Sequence, residues 1–184
     1  MNRYLTEEEF KVIQAHIKEG DASLTISRSI ARHFFMRVSN ASIKSKTGNS
    51  ALLQKALVWT SQVCALFCLL ICGGIMIDSF GWWAAIAIPV AGASWAILAG
   101  LTNEDGGWLS ITIFLAASIA SYSFITPTYS APLIIFVFSL WLHRMTYILA
   151  QKLLIAIVEE SYAAYDMLAE NVEIQDAMMP EPAE

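Results

Sequence analysis

Between Lys55 and Arg144 the chain contains no lysine and no arginine, and only three acids: Asp78, Glu104 and Asp105. Soluble globular domains carry charge throughout, at about 25% of residues. Here charged residues make up 15% and hydrophobic ones 57%, and the apolar excess lies in the middle half of the chain. That distribution separates membrane spans from a greasy soluble core.

Other absences narrow the chemistry. Cysteine occurs three times, as Cys64, Cys68 and Cys72, all within one apolar stretch, which excludes an extracellular disulfide framework. No CxxC or HExxH spacing occurs, and His16, His33 and His143 are isolated along the chain. Gly73-Gly74 and Gly106-Gly107 lack the Lys and Ser/Thr that complete a phosphate loop. Ser94 has no base on its own segment to activate it. No acid lies inside the apolar stretches, where coupled transporters and intramembrane catalysts usually keep one. The expectation is therefore a non-enzyme with no metal, no cofactor and no small-molecule substrate. The first 55 residues are polar, so the expectation is also that no secretory signal opens the chain and that the first span serves as its own insertion signal.

What is present is long apolar runs. A bilayer core about 30 Å thick takes about 20 apolar residues in a helix. Four stretches meet or approach that length: 57–77, 80–101, 108–125 and 132–150. The sequence thus predicts an all-α polytopic membrane protein with three regions. Residues 1–50 form a cytoplasmic amphipathic helical segment and linker, 51–150 a four-helix transmembrane bundle, and 151–184 an acidic cytoplasmic helix with a disordered tail.

The cations give the orientation. Arg3, Lys11, Lys18, Arg28, Arg32, Arg37, Lys44, Lys46 and Lys55 precede the first span, and Arg144 and Lys152 flank the inner end of the last. The positive-inside rule puts both termini in the cytoplasm. Composition and short turns suggest a bacterial inner membrane. Trp59, Trp82, Trp83 and Trp108 sit near span ends, where amphipathic rings favour the headgroup layer, while Trp95 is mid-span.

Local signals are uneven. Thr6 and Glu9 make a capping box, opening a helix that Gly20 stops. Asp21 is expected to cap a second helix to Val38, with Ile26, Ile30, Phe34 and Val38 on one face and Arg28, Arg32 and Arg37 on another. Two readings of that helix stand. Its basic face lies on an anionic membrane surface, or its apolar face packs against other parts of the protein. The membrane surface also accounts for the basic charge without nucleic acid. Residues 39–50 read as a linker. After Lys152, the positions Leu154, Val158, Ser161, Tyr165, Leu168 and Val172 form a short seam at coiled-coil spacing.

Candidate site residues lie in the spans. Cys64, Cys68 and Cys72 recur every four residues on one helix face, as do Gly92, Ala96 and Gly100. Such small-residue faces allow close helix approach; a thiolate metal or redox site is the less favoured reading of the cysteines, because thiolate is costly in hydrocarbon. His143 and Arg144 are the polar oddity of the fourth stretch. Arg144 lies roughly 18 Å along the helix from Pro132, toward the cytoplasm. It either snorkels to the headgroups or meets a carboxylate, for which Glu104, Asp105 or another subunit are the candidates. The partners expected are lipid and other membrane subunits or a second copy. The sequence points to a non-enzymatic subunit of a larger membrane assembly of the secretion or conjugative DNA-transfer type; a homo-oligomeric pore or membrane-perturbing effector is the alternative.

Overall fold

The computed structural model describes residues 5–101, 108–122 and 126–176. The chain is mostly helical, and three helices are long and apolar enough to cross a membrane: Leu52–Phe80, Trp82–Gly100 and Thr128–Glu160. It divides into two compact units. One gathers the residues up to Ala56 and from Leu149 onward, and the other is Leu57–Ile148.

The first unit is built from both ends of the chain. Helix α1 (Glu7–Glu19) opens on the expected capping box, with the Thr6 backbone N–H donating to Glu9 at 2.8 Å. Gly20 ends it at φ 86°, a left-handed conformation that glycine adopts without a Cβ penalty. Strand β1 (Ala22–Ile26) follows, then α2 (Arg28–Arg37) and α3 (Asn40–Thr47). From the far end come the last turns of α7 (Pro127–Glu160), then α8 (Tyr162–Asp166), and strand β2 (Val172–Asp176). β1 and β2 pair antiparallel, with Leu24 opposite Ile174 and Ile26 opposite Val172.

Three expectations are corrected here. The segment from Asp21 is not a helix through Val38. Ala22, Leu24 and Ile26 are buried and Ser23 is exposed, the period of two that a half-buried strand requires. Residues 39–50 are not a linker throughout, because Ser39 accepts a hydrogen bond from the Ser42 backbone and caps α3, which Gly48 closes. The C-terminal region is not one helix. α7 stops at Glu160, Ser161 takes an extended conformation, and the chain continues through α8 to β2. Leu154, Val158, Tyr165, Leu168 and Val172 are all buried, but in this unit's core rather than along a coiled-coil seam.

That core also holds Phe10, Phe34, Phe35 and Ile43. The Phe10 ring lies 5.1 Å from Tyr165 and 5.7 Å from Tyr162. Several hydrogen bonds join the two ends of the chain. Gln151 donates to the Ile26 carbonyl at 2.6 Å, Gln14 to the Glu159 carbonyl at 2.6 Å, and the Tyr162 hydroxyl to the Leu5 carbonyl at 3.0 Å.

In the second unit, α4 (Leu52–Phe80) runs unbroken through the first apolar stretch. A 3-10 turn (Trp82–Ile86) then leads into α5 (Ala87–Leu101). α6 (Trp108–Ser121) has 14 residues, fewer than the about 20 a perpendicular crossing needs. α7 tolerates Pro132 inside its first turns. Glu104, Asp105, the end of the 108–125 stretch and the C-terminal tail lie outside the described residues.

Candidate functional site

The buried face of α4 carries Val58, Gln62, Ala65 and Cys72. Facing positions on α7 carry Ser139, His143 and Thr146, all buried. From α5, Trp95 and Ala99 complete the core with Leu140, and Leu69 and Phe136 pack against it. Both faces of the α4–α7 pair alternate spacings of four and three, the repeat of left-handed helix packing.

What distinguishes this core is its polar side chains. Gln62 Nε2 lies 3.2 Å from His143 Nδ1. With the amide donating, Nδ1 is the acceptor and the imidazole proton sits on Nε2. The His143 ring is 4.7 Å from Trp95 and 5.2 Å from Tyr147. Trp95 Nε1 donates to Ser139 Oγ at 3.1 Å, and that hydroxyl donates to the Ala65 carbonyl at 2.6 Å. Thr146 donates to the Leu142 carbonyl at 3.1 Å and lies 2.9 Å from Ser61 Oγ. In an apolar surrounding each unpaired group would cost about 1–3 kcal/mol, so a connected set of this kind fixes which helix faces meet.

The candidate residues fall in different places. His143 and Arg144 are both buried, Arg144 to 2% exposure. His143 joins the cluster with Trp95, which the sequence marks as mid-span; Gln62, Ser61, Ser139 and Thr146 were not singled out from sequence. The signal available was the shared spacing of 62 with 65 on α4 and of 139, 143 and 146 on α7.

The cysteines divide: Cys64 is exposed, Cys68 half-buried, and Cys72 buried with its thiol donating to the Pro132 carbonyl at 3.2 Å. Among the described residues of α5, Trp95 and Ala99 are buried, each one residue away from the Gly92–Ala96–Gly100 face. A Cβ at Gly92 or Gly100 would meet nothing within 4 Å.

In the first unit, α2 buries Ala31, Phe34 and Phe35, so its apolar side packs inside the protein. Arg28 Nε donates to Gln151 at 3.2 Å, and Arg37 is exposed. His16, isolated along the chain, has Glu19 and Asp21 beside it in space, with ligand atoms within 4.8 Å of one another, all exposed. Burial pushes the Tyr165 hydroxyl above its ordinary range, a shift partly offset by a hydrogen bond with the Leu5 backbone.

No protein-family model, no curated protein and no solved structure matches this chain.

Proposed function

We propose that the chain is a non-enzymatic integral subunit of a larger assembly in a bacterial inner membrane, of the secretion or conjugative DNA-transfer type. Four helices cross the bilayer and both ends stay in the cytoplasm. The observation that carries this reading is the β1–β2 ladder. A hydrogen-bonded sheet cannot have one strand on each side of a membrane, so the pairing of residues 22–26 with 172–176 supports a shared side for both ends. An even number of crossings between them fits four spans if α6, short as it is, crosses together with the three longer helices. The excess of Lys and Arg before Ala56 favours the cytoplasm for that shared side.

A subunit role is supported by how the two ends are used. They form one small folded unit with its own core, while the helices leave large apolar side chains outward: Leu70 on α4, Ile97 on α5 and Phe114 on α6. Such faces meet lipid or other apolar helices. The polar side chains inside the bundle bond to one another and to backbone carbonyls, an arrangement suited to holding helices together. Detergent extraction followed by size analysis, with and without the products of neighbouring genes, tests the reading. Co-elution in a defined larger complex is expected, and a stable monomer with no co-purifying partner would overturn it.

A further inference from the structure

The end of α1 and the turn after it gather three metal-ligating side chains, His16, Glu19 and Asp21. One ligand atom from each lies within 4.8 Å of the others, and His16 Nδ1 is 4.0 Å from Asp21 Oδ2. The backbone brings them together. His16 and Glu19 are three residues apart on the helix and so share a face. Gly20, at φ 86°, turns the chain back, and the Asp21 N–H donates to the His16 carbonyl at 2.9 Å. β1 begins one residue later, at Ala22, so Asp21 is held from both sides.

The negative charge there is poorly offset. The C-terminal end of a helix is itself partly negative, which disfavours carboxylates and favours cations. Yet α1 ends on Glu19, and Asp21 follows. Among the described residues neither acid makes an ion pair with a lysine or arginine, whereas Glu7, at the other end of the same helix, pairs with Lys11 at 2.8 Å.

We propose that His16, Glu19 and Asp21 bind a divalent transition-metal ion of the Zn²⁺ type. The site lies in the terminal unit alone and does not depend on the chain's role in a membrane. Donor chemistry selects the ion. Carboxylates by themselves suit Mg²⁺ and Ca²⁺, while an imidazole beside them shifts the preference to borderline ions that accept nitrogen and oxygen together. Bonds of about 2.0–2.2 Å put tetrahedral neighbours roughly 3.4 Å apart, so the three side chains must close by about 1.4 Å or less. All three are exposed, and no packing opposes that rotation. The ion's charge cancels that of the two carboxylates, and its remaining position is left to water.

The test uses the untagged full chain in nanodiscs, stripped of metal with EDTA and titrated with Zn²⁺ by calorimetry. One saturable equivalent is expected. Changes around a bound metal cost about 10–100-fold in affinity, so His16→Ala, Glu19→Gln and Asp21→Asn should each weaken binding by about tenfold or more. The three side chains are exposed, so none of these changes touches the core. His33→Ala, at an exposed histidine of α2 in the same unit, should leave the affinity unchanged. Absence of a saturable equivalent overturns the proposal, as does one that survives both His16→Ala and Asp21→Asn. Mg²⁺ binding as tightly as Zn²⁺ overturns it too, because carboxylates alone behave that way.

Discussion

Thr25 and Glu173 stand 148 residues apart in the chain and opposite each other in the sheet, the Thr25 hydroxyl donating to the Glu173 carbonyl at 3.3 Å. Everything apolar enough to enter a membrane lies between them. In the proposed topology the ladder makes the fold of the terminal unit depend on the last crossing having been made. β1 alone would expose Leu24 and Ile26, and a two-stranded sheet without further packing is marginal in water. Here α1 and the buried aromatic side chains supply that packing.

The pairing predicts a cross-link. Ser23 and Gln175 are partners in the register and both are exposed. With Cys64, Cys68 and Cys72 replaced by alanine, Ser23→Cys with Gln175→Cys should be joined within one chain by a short bifunctional maleimide in intact vesicles. Each single variant should react with a monofunctional maleimide to the same extent and on the same side. Reaction of the two from opposite sides of the membrane would exclude the ladder and the even number of crossings together.

The polar cluster predicts an energetic coupling. Gln62→Leu removes the partner of His143 Nδ1, and His143→Leu removes the partner of the amide. Interhelical hydrogen bonds in membranes average about 0.6 kcal/mol and reach about 1.7 kcal/mol. A double-mutant cycle on unfolding in mixed micelles should give a coupling in that range, with each single variant less stable than the parent. Additive effects would mean the two side chains do not interact. Ser139→Ala should destabilise by about 1 kcal/mol, because Trp95 Nε1 then loses its acceptor.

The apolar helices were legible in sequence because length and lack of charge are local properties. α4 begins at Leu52 and α7 ends at Glu160, each reaching beyond its apolar core, and the capping box of α1 stands where Thr6 and Glu9 placed it. The strands were not legible. β1 is five residues long, and the i+4 spacing from its last residue, Ile26, to Ile30 and Phe34 of α2 also fits one continuous helix; its partner strand lies at the other end of the chain. The seam from Leu154 to Val172 had the right residues buried and the wrong conformation, since burial pattern alone does not separate a helix from a helix, a turn and a strand. The polar cluster was half legible. His143 and Arg144 stand out in an apolar run, whereas Gln62 and Ser139 look unremarkable until α4 and α7 are set face to face.

Alkaline pH should loosen the terminal unit through Tyr165. Its hydroxyl is pushed up by burial, so the folded state binds the proton more tightly than the unfolded chain does. The stabilisation is complete below the unfolded value, about 10, and is lost as pH rises through the higher folded value. Fluorescence or proteolysis across pH 9 to 12 should show that loss. Tyr165→Phe keeps the ring against Phe10 and removes the ionisation, so it should flatten the alkaline limb. An unchanged limb would assign it to another group.

Arg144→Leu and Cys68→Ala separate insertion from assembly. An arginine at a helix centre costs about 2.5–3.5 kcal/mol to insert, so leucine should make insertion easier. Arg144 is nonetheless 2% exposed on the helix that carries His143, and a charge retained at that depth points to interactions made after insertion. The leucine variant should therefore reach the membrane at least as well as the parent while recovery of the assembled complex falls by about tenfold or more, equivalent to about 1.4 kcal/mol. Arg144→Lys, which keeps the charge but not the planar fork, should restore it only in part. Cys68 is half-buried and makes no hydrogen bond among the described residues, so its alanine variant should stay within about 0.5 kcal/mol of the parent. Membrane fractionation and complex recovery, measured on the same preparations, check both statements. Greater damage from Cys68→Ala would mean that the cysteine face of α4, and not the inner end of α7, governs association.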